Sequence, residues 1–260
     1  MLAEGGVVGV AERPVELHER VEIDWAGTTD PDRRRFHGDG PYCRGVHRLH
    51  EMLIDAAHDR FPPADGVVEV MPPSIDGHHA IVEFTGHCVV LTDRAADVVR
   101  RRAEDAFGGA TQPDVVRWLA GPRGWVGSHD AVLVGRGTGT DRLASTDRHD
   151  DHPRVVRSRA HRSDVRVFAD DTGIATIGTG LVGRAELSVE LFAAEDAVVG
   201  AGRRLIAEGL GQVPDGVLVW AQVAPGNARS LRSFLACGFV PVGAEILLGP
   251  ATTVISSARS

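Results

Sequence analysis

Lysine is missing from this chain of 260 residues: the 28 positions counted as Lys or Arg are all arginine. Asparagine occurs once, at Asn227, and tyrosine once, at Tyr42. Ala, Arg, Gly, Val and Asp are used heavily, as expected where nucleotide composition disfavours Lys and Asn codons. An asparagine that persists under that pressure marks a position with a use for it. Cysteine is scarce too: Cys43, Cys88 and Cys237 are scattered, odd in number and without metal-type spacing. That excludes a disulfide framework and fits a reducing compartment. No apolar run reaches the ~20 residues needed to span a bilayer. The opening MLAEGGVVGVAERP lacks a basic start and carries Glu4, a poor secretory signal. The expectation is a cytoplasmic protein without a membrane partner. The formal net charge of −8 excludes a global attraction to nucleic acid, so an anionic ligand needs a local positive site.

The chain has ample apolar sequence for a core and divides into three stretches. Residues 1–44 form a polar, arginine-rich lead-in, and residues 45–153 form an N-terminal α/β region. There VHRLHEMLIDAAH (46–58) carries a helical stripe ended by the prolines at 62 and 63. VVEVM (67–71), HAIVEF (79–84), HCVVL (87–91) and AVLV (131–134) read as strands; 94–106 and 113–120 read as helices. A Gly-, Asp- and His-rich linker covers roughly 135–153. Residues 154–260 are the more legible part. A hairpin over 165–180 is followed by strand 184–192, helix 200–211, strand 217–223, helix 227–238 and strand 239–248. The fold class is α/β, a mixed sheet flanked by helices.

Chemistry concentrates at two joints. Between strand 184–192 and helix 200–211 lies a glycine-bearing turn, Val198-Val199-Gly200-Ala201-Gly202, followed by Arg203 and Arg204. The first turn of a helix leaves backbone N–H groups unpartnered, and with the helix dipole they form a cradle for phosphate. Gly200 and Gly202 allow close approach, and Arg203 supplies charge. The second joint is Pro225-Gly226-Asn227, opening a helix that ends at Gly238-Phe239.

In these two motifs the sequence resembles the GNAT superfamily of N-acyltransferases. The family's pyrophosphate loop, Arg/Gln-x-x-Gly-x-Gly/Ala, is matched by residues 197–202, with Ala197 in place of the leading Arg or Gln. Its next signature is matched by Asn227, Ser230, Phe234, Gly238 and Phe239. The resemblance covers about residues 164–248. It implies a GNAT-type sheet whose two central parallel strands splay apart. The cofactor arm would lie along the backbone near Val189 and Leu191, with Asn227, Ser230 and Phe234 beside it. The implied co-substrate is acetyl-CoA or another acyl-CoA. The implied reaction is direct transfer of an acyl group, acetyl in the simplest case, to a primary amine on a small molecule or peptide. Phe234 stands where the family often has a proton-donating tyrosine, so acid catalysis comes from elsewhere or is dispensed with.

Along strand 184–192, alternation puts Glu186, Ser188 and Glu190 on one face and Leu187, Val189 and Leu191 on the other. The polar face is expected towards the acceptor, with Glu190, nearest the thioester end, as candidate general base. The N-terminal region either completes the sheet or covers the acceptor. Other readings are a phosphopantetheine thioester on an acyl carrier protein as donor, or an acyl-CoA-binding module without catalysis. HDDHP (149–153) has no second ligand cluster and is not read as a metal site. His78, His79, His87 and His129 could line an acceptor pocket. GRGTG (135–139) lacks a following helix and reads as a turn rather than a dinucleotide loop.

Overall fold

The computed structural model describes residues 47–74, 77–192 and 200–249. By its internal contacts the chain divides into Met1–Arg44 and Gly45–Ser260, and the described residues all belong to the second unit. The lead-in 1–44 and Ala197, Val198 and Val199 of the turn lie outside the described residues.

The N-terminal part runs α1 (Arg48–Ala56), β1 (Val68–Met71), β2 (His79–Phe84), β3 (His87–Leu91), α2 (Ala96–Ala103), α3 (Pro113–Ala120) and β4 (Trp125–Arg136). The C-terminal part runs α4 (Pro153–His161), β5 (Ser163–Ala169), β6 (Gly173–Thr179), β7 (Ala185–Leu191), α5 (Ala201–Gly211), β8 (Leu218–Val223), α6 (Ala228–Ala236) and β9 (Val240–Gly249). All nine strands form a single mixed sheet in the order β1-β3-β2-β9-β4-β8-β7-β6-β5. The mixed α/β sheet flanked by helices is thus present. The two parts interleave in it, because β9 lies between β2 and β4, and β4 lies between β9 and β8.

Helices cover both faces. On one face α1 buries Leu49, Leu53 and Ala56 against Val82, Val89 and Val132, while α4 places Val155 against Val167 and Ile174. On the other, α2 and α3 pack on Ile81, Val90 and Ile246, and α5 and α6 pack on Leu133, Leu187 and Val219. The 3.6-residue stripe of a helix meeting the alternate residues of a strand accounts for these clusters.

Two elements differ from the sequence expectation. β4 spans twelve residues, not the four of AVLV, because Trp125–Asp130 is carried into the sheet by pairing with β9 despite its polar composition. Helix α4 lies in a stretch that shows no apolar periodicity. It starts on Pro153 at its first position, with His152 Nδ1 accepting from Arg154 N–H at 3.2 Å. Only Val155 and Ser158 are buried along it.

The end of α6 gives a physical cause for part of the second motif. Gly238 has φ +86, Phe239 N–H donates to the Phe234 carbonyl at 3.2 Å, and Gly238 N–H donates to that of Leu235 at 3.1 Å. This is a Schellman stop, which wants glycine for the left-handed residue and an apolar contact across the turn. Phe234 and Phe239 make that contact edge to face, with centroids 4.9 Å apart.

Candidate functional site

The parallel strands β7 and β8 are in register at the single pair Glu186 and Trp220. The other edge of β7 pairs with β6 along its whole length. Phe192 N–H donates to the Thr172 carbonyl at 3.0 Å, which fixes the phase of that ladder. By alternation, residues 186, 188 and 190 turn their main-chain groups to β6, while Val189 and Leu191 turn theirs to the opposite edge. Beyond Glu186 that edge has no described strand beside it, and a cleft of about 350 Å³ opens there.

Its walls come from six elements. β7 contributes Ser188 and Val189, β8 contributes Gln222, and α6 with its cap contributes Asn227, Ser230 and Phe234. β4 and β9 contribute Asp130 and Glu245; α4 contributes Arg154, Arg157, Ser158, His161 and Arg162. Phe234 is buried, whereas Asn227 is exposed and caps α6, its Oδ1 accepting from Ser230 N–H at 3.2 Å. The cap occupies that oxygen and leaves the Nδ2 donors of Asn227 free of it. α5 begins at Gly200, whose φ of +91 is a left-handed conformation suited to glycine. Ala201, Gly202 and Arg203 form the first turn, where intrahelical amide partners are lacking by geometry. Beside it, Arg203, Arg229 and Arg232 line a shallow groove between α5 and α6. Among the described residues their guanidinium groups make no hydrogen bond or ion pair, so an acidic protein presents a local positive site here.

The polar face of β7 lies under α4: Glu186 and Ser188 line the cleft there, and Glu190 at its end is partly exposed. Glu190 Oε2 accepts from Arg154 Nε at 2.8 Å, and Glu190 is not among the residues lining the cleft. Ser188, Thr176 and Ser158 share hydroxyl hydrogen bonds of 2.7 and 2.8 Å through Thr176. Arg162 donates to Glu186 at 2.6 Å, to Ser188 at 3.2 Å and to Gln222 at 3.0 Å. Leu191 packs on the opposite face among the apolar residues beneath α5 and α6.

Beneath the cleft lies a buried ionic group. The Arg184 side chain is 0% exposed and donates to Glu186 and Glu245 at 2.7 Å each. Burial would raise the Glu186 carboxyl, but Arg184 and Arg162 outweigh it and bring it down to about 2. Glu245 has Arg184 alone, and burial, with the negative charges of Glu186 and Asp130, pushes its carboxyl above the ordinary range. Burial also raises Asp130, against the pull of Arg157 and His129. His161 lies against Trp125, ring centroids 4.9 Å apart; burial first and then Arg157 hold its imidazole below 6.5, so it is neutral at pH 7.

Asp130, Gln222, Glu245 and the α4 residues were not legible in the sequence. Strand alternation would have placed Asp130 on a face, but not that face in a cleft. The i, i+3, i+4, i+7 and i+8 spacing of Arg154, Arg157, Ser158, His161 and Arg162 was the available signal for α4.

Comparison with known proteins adds a loose likeness of fold. No protein-family model matches the chain, and no curated protein does. Among solved structures, it is similar to a protein named as a GNAT-family acetyltransferase from Novosphingobium aromaticivorans. The identity is 19% and the TM-score 0.35, over 50% of this chain and 69% of that one. It is also similar to a GCN5-related N-acetyltransferase from Kribbella flavida, 15% identical with a TM-score of 0.32, over 49% of this chain and 60% of that one. Among the described residues, no helix is long and apolar enough to cross a membrane.

Proposed function

We propose that this chain is an acyltransferase that moves an acyl group, acetyl in the simplest case, from coenzyme A to a primary amine. The observation that carries the reading is the parting of β7 from β8, which leaves the main chain of Val189 open to a cleft and turns that of Leu191 to the same unpaired edge. A pantothenyl arm with its two amides is matched to such an edge, because amides can extend the ladder that β8 abandons. The diphosphate falls to the first turn of α5 at Gly200, Ala201, Gly202 and Arg203, with Val198 and Val199 leading into it. The nucleotide phosphates fall to Arg229 and Arg232. Asn227 offers its Nδ2 to the arm, and Phe234 packs near the thioester.

In the reaction the amine nitrogen attacks the thioester carbonyl carbon, the C–S bond breaks, coenzyme A leaves as thiolate, and the nitrogen gives up one proton to solvent or to that thiolate as the amide forms. A thiol of ordinary acidity, pKa about 8.5, leaves without a proton donor, so Phe234 is no obstacle. The acceptor ammonium must first lose a proton. Glu190 can take it on Oε1, the oxygen that Arg154 leaves open. His161 is a second candidate, favoured by its place in the cleft wall and its neutral ring.

Isothermal titration with acetyl-CoA tests the donor half directly, and release of free thiol over an amine panel tests transfer. Saturable 1:1 binding, weakened by Gly202→Glu and by Asn227→Asp in proteins that stay folded, is expected. Absence of binding at millimolar acetyl-CoA refutes the reading. Binding without thiol release would leave a non-catalytic acyl-CoA module, and turnover confined to acyl-carrier thioesters would reassign the donor.

A further inference from the structure

The acceptor end of the cleft carries charges that the protein does not use. Glu245 on β9 stands directly across from Asp130 on β4. Two carboxylates facing each other across strands repel, and a cation received between them would relieve that repulsion. Glu245 is 2% exposed; its Oε1 accepts from Arg184, while its Oε2 is buried and has no hydrogen-bond partner among the described residues. Asp130 is half-buried, and its side chain makes no hydrogen bond or ion pair with a described residue. Beside them the buried Nε2 of Gln222 is also unpartnered, its Oε1 being held by Arg162. Buried polar groups of this kind are costly to leave unsatisfied, and two of them, Glu245 Oε2 and Gln222 Nε2, in the wall of one cleft point to a ligand.

The cations of the cleft are unequal. Arg154 is bound to Glu190, and Arg162 is bound to Glu186, Ser188 and Gln222. Arg157, one turn along α4 from Arg154, makes no hydrogen bond or ion pair with a described residue, although it lies in the same cleft wall as Asp130. The cleft therefore offers a half-used carboxylate pair and a guanidinium that acts on Asp130 through its charge but makes no hydrogen bond or ion pair with either carboxylate.

We infer that the acceptor is a small zwitterion, a free amino acid, whose ammonium is received between Asp130 and Glu245 and whose carboxylate is received by Arg157. The inference rests on the transferase reading for what happens next, but the binding site stands on its own residues. A guanidinium fits a carboxylate with two parallel hydrogen bonds, which is the recognition an amino acid offers and a simple amine or an internal peptide residue does not. A cleft of about 350 Å³ that must also admit the thioester favours a small molecule.

The test pairs each of the common amino acids with its methyl ester and with the amine left by removing its carboxyl group. Thermal shift without any donor reads binding; thiol release with acetyl-CoA reads transfer. At least one free amino acid should raise the melting temperature and be acylated with kcat/KM tenfold or more above its ester. Arg157→Ala should erase that tenfold preference while leaving acetyl-CoA affinity unchanged, and Arg157→Lys should restore part of it. Asp130→Asn should weaken binding of every amine in the panel. Esters or simple amines used as well as amino acids, an unchanged preference in Arg157→Ala, or no amino acid bound by the wild type would each overturn the inference. Arg157-dependent amino acid binding in a protein that ignores acetyl-CoA would instead keep the zwitterion site and remove the transferase reading.

Discussion

Replacing Arg184 by methionine probes the buried ionic group on which the cleft floor rests. The substitution keeps much of the apolar stem and removes the guanidinium, which donates at 2.7 Å to Glu186 and at 2.7 Å to Glu245. Glu186 keeps Arg162 at 2.6 Å; Glu245 keeps no charged partner among the described residues. Removing one member of a buried pair costs about 3–5 kcal/mol, since the remaining charge stays desolvated. At about 2–4 °C per kcal/mol for a folded unit of this size, the melting temperature should fall by roughly 6–20 °C. The loss should depend on pH. In the wild type, Glu186 is held down to about 2, so its stabilisation is complete above the ordinary carboxyl range and fades as pH falls towards 2. Glu245 behaves oppositely: its raised carboxyl is stabilised by taking a proton, and without Arg184 it rises further. Arg184→Met should therefore be more damaging near pH 8 than near pH 5 (both values approximate). Adding Glu245→Gln should recover about 1 kcal/mol or more, a coupling of the size found for contacting groups. Differential scanning calorimetry of the four proteins decides it. A loss below about 1 kcal/mol, one indifferent to pH, or strict additivity with Glu245→Gln would refute the reasoning.

Three further substitutions separate stability from function. Asn227→Asp keeps an oxygen for the α6 cap but loses the Nδ2 donor, so melting should hold while calorimetry finds weaker acetyl-CoA; Asn227→Ala should also cost about 1 kcal/mol of stability. At Gly202 an added methyl would meet only Ser233 Oγ at 3.8 Å and Leu191 Cδ1 at 3.9 Å, so Gly202→Ala should gain about 0.5–1 kcal/mol from the helix, whereas Gly202→Glu sets a carboxylate at the first turn and should weaken diphosphate binding. Unchanged affinity would remove the phosphate role. Glu190→Gln breaks a partly exposed ion pair with Arg154 and should change stability by less than about 1 kcal/mol. If Glu190 is the base, kcat should fall at least tenfold with loss of the acid limb of the pH–rate profile; if His161 is, His161→Gln should show that effect instead.

Much of the fold was legible because its signals are local. The β-branched runs at β2, β3 and β8 and the Phe-x-x-x-Gly-Phe stop of α6 specify themselves within a few residues. Helix α4 was missed because its inward face is polar: Arg154, Ser158 and Arg162 meet polar partners on β6, β7 and β8, so no apolar stripe announces it. The amphipathic rule assumes an oily partner, and this helix has a polar one.

The sequence by itself determined most of the strands, the stop of α6 and the placing of the two glycine-bearing joints, since turns, stops and alternation are properties of neighbours along the chain. Tertiary structure alone decided the cleft. Asp130 and Glu245 are more than a hundred residues apart and become partners only because β4 and β9 pair side by side. Whether an arginine such as Arg184 is a solvated surface charge or the buried centre of an ionic group depends on which strands and helices close over it, and no local pattern carries that information.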